Sequence, residues 1–308
     1  MENLEIANAA MGIRFYYDDS YENSNVTVEN CLFKNIYGIS WDSLSEKFDT
    51  ACSAGIFVTG YVGKNFVWGK SFVKNFNIIN CESTSSDSLF TNSRTIDDEV
   101  LSGSENVQAR HNLALVRDLH IEGCKMYRNR VYGIIINGVN GGYMKNCYIS
   151  NNGTAPFSYG SAGVMLSALW DFTIDECTVE FQNRQGYDPD GCGIDFEDNC
   201  HGVTISNCNL RYNDGVGIML YDNGQGRYNT NINIINNAFE KNNQNVLKKG
   251  VPKYSEIFVC EDCLQVEGVI SGNTYVKQFY NFIFPITLIN DFDLSKLDLV
   301  ISNNTMLN

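Results

Sequence analysis

Histidine and proline are scarce in this chain, with three and four residues in 308, and positive charge is thin. Against 22 Lys and Arg stand 36 Asp and Glu, for a net charge of −14. That balance argues against nucleic acid or an anionic membrane surface as a partner, because both select basic patches. No apolar run approaches the roughly 18 residues a membrane helix needs. The segment Met1–Met11 has neither a basic start nor a continuous apolar core, so it does not read as a secretory signal. Either the protein stays inside the cell or a signal lies outside this sequence. The few histidines bring no chemistry with them: His201 reads as a turn residue after Asp198-Asn199-Cys200, and His111 and His120 flank an expected strand over 112–116 with no partner motif.

What is present is globular, at 44% hydrophobic and 19% charged residues, and long enough for a large core in one long domain or two ordinary ones. There are 39 Asn and 26 Gly. With so little proline, these residues must make the turns, and both tolerate left-handed backbone. The 11 Cys are an odd number, so at least one lies outside any internal pair.

Repeats organise the chain. An apolar pair, a polar residue or two and then Cys recur at Val28-Glu29-Asn30-Cys31, Ile78-Ile79-Asn80-Cys81, Ile121-Glu122-Gly123-Cys124, Met144-Lys145-Asn146-Cys147, Ile174-Asp175-Glu176-Cys177 and Ile205-Ser206-Asn207-Cys208. Asn then takes the Cys place at Asn237, Asn273 and Asn304. Between these anchors runs a second pattern, Gly followed by apolar residues, as in Gly133-Ile134-Ile135-Ile136, Gly163-Val164-Met165-Leu166, Gly193-Ile194-Asp195-Phe196 and Gly217-Ile218-Met219-Leu220. Glu256-Ile257-Phe258-Val259 is a version without Gly. Short strands bounded by turn residues, repeating every 23 to 36 residues over the regular part, predict a solenoid whose coils stack at about 4.8 Å. The longer early intervals predict loop insertions near 40–54 and 82–110.

On these repeats the chain resembles the right-handed parallel β-helix proteins of the pectate-lyase-like superfamily, over nearly its whole length. The resemblance implies one all-β domain, a single-stranded right-handed solenoid of about nine to ten coils. The Cys column then reads as an inward ladder of small apolar groups, continued by an Asn hydrogen-bond ladder. Cys260 and Cys263 have CxxC spacing but no second pair, so zinc is not expected. Cys192 and Cys200 suit either a disulfide or free thiols.

The Gly-strands also define outward columns. Their second position holds Arg14, Phe57, Ile135, Met165, Asp195, Met219, Phe258 and Ile283, so Asp195 interrupts apolar company. A carboxyl there favours its neutral form. The fourth position holds Tyr16, Thr59, Asn137, Ser167, Glu197, Tyr221 and Cys260. Asp188, Asp190 and Asp222 lie close in sequence to the same strand or its neighbour. Paired carboxylates in a groove are what glycoside hydrolysis requires, one protonated and one ionised.

The stretch Asp190-Gly191-Cys192-Gly193-Ile194-Asp195-Phe196-Glu197 resembles a DGxG-apolar-D-apolar-[DE] signature of carbohydrate-active β-helix proteins. The resemblance implies catalysis by Asp195, Glu197 and Asp190. Substrate would be held by Asn137, Met165, Arg184, Tyr187, Met219, Tyr221 and Asp222. Polygalacturonase elements are missing, and Tyr187-Asp188-Pro189-Asp190 is similar to the Asp-Pro-His element of alginate epimerases without its His.

The expected function is therefore a glycoside hydrolase acting on a neutral or mixed polysaccharide or oligosaccharide, outside the cell or at its surface. The alternatives are a calcium-assisted lyase or epimerase, and a non-catalytic module such as an adhesin or tailspike stem. No cofactor is expected; calcium alone would have a place, between Asp190, Asp222 and backbone oxygens. Because the repeat runs to both ends, a longer chain or an oligomer is expected to cover the terminal coils.

Overall fold

The computed structural model describes residues 1–17, 23–38, 40–42, 47–49, 53–62, 71–96, 114–155, 160–185, 190–221, 228–245, 255–259, 265–276, 286–288 and 297–307. Among them every regular element is a strand, and every pairing is parallel except the small hairpin of Ser40–Asp42 with Lys47–Asp49. The chain is a right-handed parallel β-helix.

One coil shows the construction. The strand Ile134–Lys145 bends at Gly138 (φ 60°), so it serves two faces; the chain turns at Asn146, runs through the short strand Tyr148–Ser150, turns again at Asn151, and returns. The short third segments stack as a ten-stranded sheet from Glu5–Ala9 to Thr305–Leu307. The early part is more regular than its polar sequence suggests. Within the loop insertion expected near 82–110, Glu82–Thr84 and Phe90–Ile96 are strands paired to neighbouring coils, and the remaining residues 97–110 lie outside the described residues.

The corners explain the asparagine. Among the described residues, 24 non-glycine positions have left-handed backbone, and 15 of them are Asn. Most other side chains pay roughly 1–2 kcal/mol there, whereas Asn can bond locally to its own backbone. The corners line up from coil to coil. Asn30, Asn80, Asn146, Asn207, Asn236 and Asn303 all have φ between 50° and 57°, each one residue before an anchor.

The anchors form one buried column. Cys31, Cys81, Cys124, Cys147, Cys177 and Cys208 are free and buried. Each thiol after the first donates to a carbonyl of the preceding coil, as Cys177 does to Met144 O (3.7 Å) and Cys208 to Ile174 O (3.7 Å). Asn237, Asn273 and Asn304 keep that donor direction and add amide-to-amide bonds of 3.1 Å. Cys192 and Cys200 are also buried; Cys260 and Cys263 lie outside the described residues.

A second interior ladder runs five residues after these anchors, through Asn129, Asn152, Gln182, Asn213 and Asn242. Asn213 accepts from Gln182 N (3.0 Å) and donates to Asn242 Oδ1 (2.7 Å) and Val179 O (3.3 Å). The Gly column has a spatial cause of its own: a Cβ on Gly133, Gly163 or Gly193 would fall 2.5–2.7 Å from the carbonyl oxygen of the next coil's Gly, and one on Gly217 would fall 2.9 Å from Glu256 O. A Cβ on Gly133, Gly163, Gly193 or Gly217 would meet the ladder amides at 3.0–3.1 Å. At the end of the described ladder the Gly place is taken by Glu256. Its Oε2 accepts from both N and Nδ2 of Asn242 (3.3 and 2.5 Å), supplying the acceptor that a further amide would have provided.

Truncating the middle of this ladder should be costly. Asn213→Ala orphans a buried N–H of Gln182 and a carbonyl of Val179, at about 1–3 kcal/mol each. A loss of about 2–5 kcal/mol in chemical denaturation is expected; a loss below about 1 kcal/mol would mean that water or relaxation replaces the ladder.

Candidate active site

Asp195 lies on the strand Cys192–His201, paired by register with Met165 on one side and Met219 on the other. Its neighbours Ile194 and Phe196 fill the solenoid core, so alternation turns Asp195 to the opposite, outward face. That face is not an open floor here. Asp195 is 2% exposed, and the column it interrupts is buried at Ile135, Met219 and Phe258, with Met165 half-buried.

Glu197 departs from the column the sequence suggested. Met165 pairs with Asp195 and Leu166 with Phe196, but Ser167 then pairs with Asp198. One extra residue enters the strand at Glu197, a β-bulge, and the polar column of Asn137 and Ser167 continues through Asp198. Periodicity read from one strand cannot reveal an inserted residue; only the partner's register does. Glu197 is half-buried within the bulge, and bulges re-aim side chains and concentrate near active sites. Tyr221, half-buried, donates its N–H to Phe196 O (2.8 Å) one coil earlier, beside the bulge.

Asp190 is fitted between coils. A Cβ on Gly160, whose φ is +102°, would fall 1.7 Å from Asp190 Oδ2, and one on Gly215 would fall 2.2 Å from Asp190 O. Its carboxylate therefore lies against the backbone of the preceding coil. Arg184 packs its Cβ over Gly191, next to Asp190, and its N–H donates to Asp214 Oδ2 (3.0 Å). Tyr187, Asp188 and Asp222 lie outside the described residues. Among the described residues no three His, Cys, Asp or Glu side chains gather as a metal site would require. No helix there is long and apolar enough to cross a membrane.

His201 follows the acidic strand and is tied to structure: Nε2 meets Asn199 Oδ1 (3.0 Å), Nδ1 meets Thr230 Oγ1 (2.7 Å), and the ring stacks on Trp170. Burial pushes its pKa down, which favours the neutral ring.

A second cluster, which the sequence pattern did not single out, lies at the corner after the third segment. Glu180 is buried at 5% exposure and accepts from Tyr148 OH (2.7 Å) and Arg211 Nε (2.6 Å). The next residues in the two coils, Phe181 and Tyr212, stack with centroids 5.2 Å apart and planes 8° apart, and Lys241 Nζ lies 5.6 Å from the Tyr212 ring. Both aromatic residues are left-handed, at φ 55° and 57°, in a column where Asn8, Asn35, Ser85, Arg128, Asn151 and Lys241 stand in other coils. An aromatic pair contributes about 0.5–1.5 kcal/mol. Two bulky residues in this backbone conformation cost about 2–4 kcal/mol. Arg128 and Lys241 carry the same backbone in this column, so the strain belongs to the corner and the aromatic pair is what sets these two coils apart. The available signal was the constant spacing of this corner from the anchors.

A family model described as "Right handed beta helix region" matches residues 101–254, half of the chain. No curated protein matches it. Among solved structures it is similar to the A-module of the mannuronan C-5 epimerase AlgE4 from Azotobacter vinelandii, at 15% identity and TM-score 0.54, over 99% of this chain and 74% of that one. It is also similar to an alginate lyase from Paenibacillus sp. str. FPU-7, at 11% identity and TM-score 0.50, over 99% of this chain and 98% of that one. At these identities the likeness is one of fold.

Proposed function

This chain belongs to the right-handed β-helix family, and from that premise we propose that it is a polysaccharide-active enzyme, a glycoside hydrolase working through Asp195 and Glu197. The observation that carries the reading is the place of Asp195. Register sets it between Met165 and Met219 at 2% exposure, on a face where coil stacking needs no acid. Burial among apolar groups penalises the ionised form, which suits a group that must hold a proton until the leaving oxygen takes it. Glu197, half-buried in its bulge, is the base or nucleophile of the pair. Asn137 and Tyr221, with Met165 and Met219, border the substrate. Asp190 orients water or a sugar hydroxyl, and Arg184, Tyr187 and Asp222 are assigned to substrate binding.

The substrate is a neutral or mixed polysaccharide, which places the enzyme outside the cell or on its surface. The solved structures it resembles carry names of enzymes acting on mannuronan and alginate, which supports a polymer of sugars as substrate but leaves the bond-breaking chemistry to experiment.

The test is a digestion screen of polysaccharides with product analysis, run on the wild type and on Asp195→Asn. The proposal expects new reducing ends from at least one polymer, and none from the variant. Unsaturated products would replace hydrolysis by elimination, and an inverted C5 without chain cleavage would replace it by epimerisation. Binding with no covalent change to any polymer would make the chain a glycan-binding module.

A further inference from the structure

We propose that the corner formed by Phe181, Tyr212 and the Tyr148–Glu180–Arg211 network is a second carbohydrate contact, binding a pyranose ring of the polysaccharide chain. The inference rests on the reading that the protein works on a polysaccharide. It does not depend on Asp195, which lies on another segment of the coil.

Three observations converge. The first is conformational. Phe181 and Tyr212 occupy left-handed positions that the described coils elsewhere give to Asn8, Asn35, Ser85, Arg128, Asn151 and Lys241, none of them aromatic, and their mutual stacking does not offset the strain of that backbone. Two successive aromatic rings at a corner where the other described coils carry polar or charged side chains point to a role outside folding. The second is exposure. Phe181 is 44% exposed and Tyr148 40%. Phe181 and Tyr212 follow one another along the solenoid with nearly parallel rings, so the other face of Phe181 looks toward the coil of Asn151. The short side chain of Asn151 is turned to its neighbour Ser150 Oγ (2.6 Å) and is too small to cover that face.

The third is the polar rim. The Arg211 guanidinium is fixed at Nε by the buried Glu180, and its side chain is 45% exposed. Glu180 also fixes the Tyr148 hydroxyl. A flat aromatic face beside a fixed guanidinium and a phenol matches a pyranose, which has an apolar C–H face and a rim of hydroxyls. A nucleic-acid base would also stack on such a face, but the net charge of −14 opposes its phosphates.

The experiment is native-gel affinity electrophoresis in gels containing alginate, pectate, xylan or a mixed-linkage β-glucan. It compares the wild type, the double variant Phe181→Asn/Tyr212→Asn, and Asp195→Asn. Asn stands in this column at Asn8, Asn35 and Asn151, so the double variant should fold with an unchanged or higher melting temperature. The wild type should be retarded by at least one polymer, the double variant should bind that polymer at least about tenfold more weakly, and Asp195→Asn should bind it like the wild type. Equal retardation of the double variant would overturn the proposal, as would a wild type retarded by none of the four. If Asp195→Asn keeps full turnover while the double variant loses retardation, the catalytic assignment fails and the aromatic corner stands.

Discussion

Asp195→Asn should lower turnover of the polymer by about 10²–10⁴-fold, the span that a positioned general acid contributes. The amide keeps the volume of the carboxyl between Met165 and Met219, so coil packing is retained, but it has no proton to give. The loss should depend on the leaving group. A substrate with an activated aryl leaving group needs little protonation, and on it the variant should lose much less than on the polymer. A structural role for Asp195 makes the opposite pattern: a lower melting temperature, with turnover per folded molecule unchanged on both substrates. Measuring kcat on polymer and aryl glycoside beside a melting curve separates the two, and a turnover loss equal on both substrates removes Asp195 from the role of proton donor.

Glu256→Gln should stabilise the protein at neutral pH and do little at acid pH. Burial raises the Glu256 pKa from its ordinary 4.5 to about 7, opposed by the bonds it accepts from Asn242. The folded state then binds this proton more tightly than the unfolded chain does. Stability from this group is complete below about pH 4.5, falls as pH rises toward 7, and is lost above it. The shift corresponds to about 3 kcal/mol. A glutamine can accept the same bonds from Asn242 and carries no charge, so the penalty at neutral pH disappears. The difference in melting temperature between variant and wild type should grow from near zero at about pH 4 to several degrees at about pH 8. A difference that does not change with pH would mean that the carboxyl is solvated or stays neutral throughout.

The solenoid was legible because its corners demand a backbone that few residues adopt, so Asn and Gly recur at one phase and Cys marks the coil beside them. The amide ladder through Asn152, Gln182 and Asn213 kept the same phase but hid behind changing residue types, since an Asn, a Gln or a Glu can each supply the acceptor. The Gly column was visible, and its cause, the close approach of the next coil's backbone, was not. At the site the sequence placed Asp195 correctly between two Met, because parallel register follows the repeat. The bulge at Glu197 escaped, since it exists only relative to the partner strand. The apolar outward column was legible, yet hydrophobic character at Ile135 and Phe258 announces burial without saying what covers it.

The six stacked thiols make the interior indifferent to redox surroundings. Each is sealed at 3% exposure or less and lies about one strand spacing from the next. A disulfide needs its sulfurs about 2.05 Å apart with a dihedral near 90°, so joining neighbours would require packed thiols to give up the carbonyls they donate to and turn within a filled core. Oxidant in the surrounding medium therefore finds nothing to cross-link while the coils stay stacked, and reductant finds nothing to cleave in this column. A chain with this interior can cross from a reducing to an oxidising compartment without changing its covalent structure there. Its thiols become reactive only when a coil opens, which turns each one into a reporter of the coil that holds it.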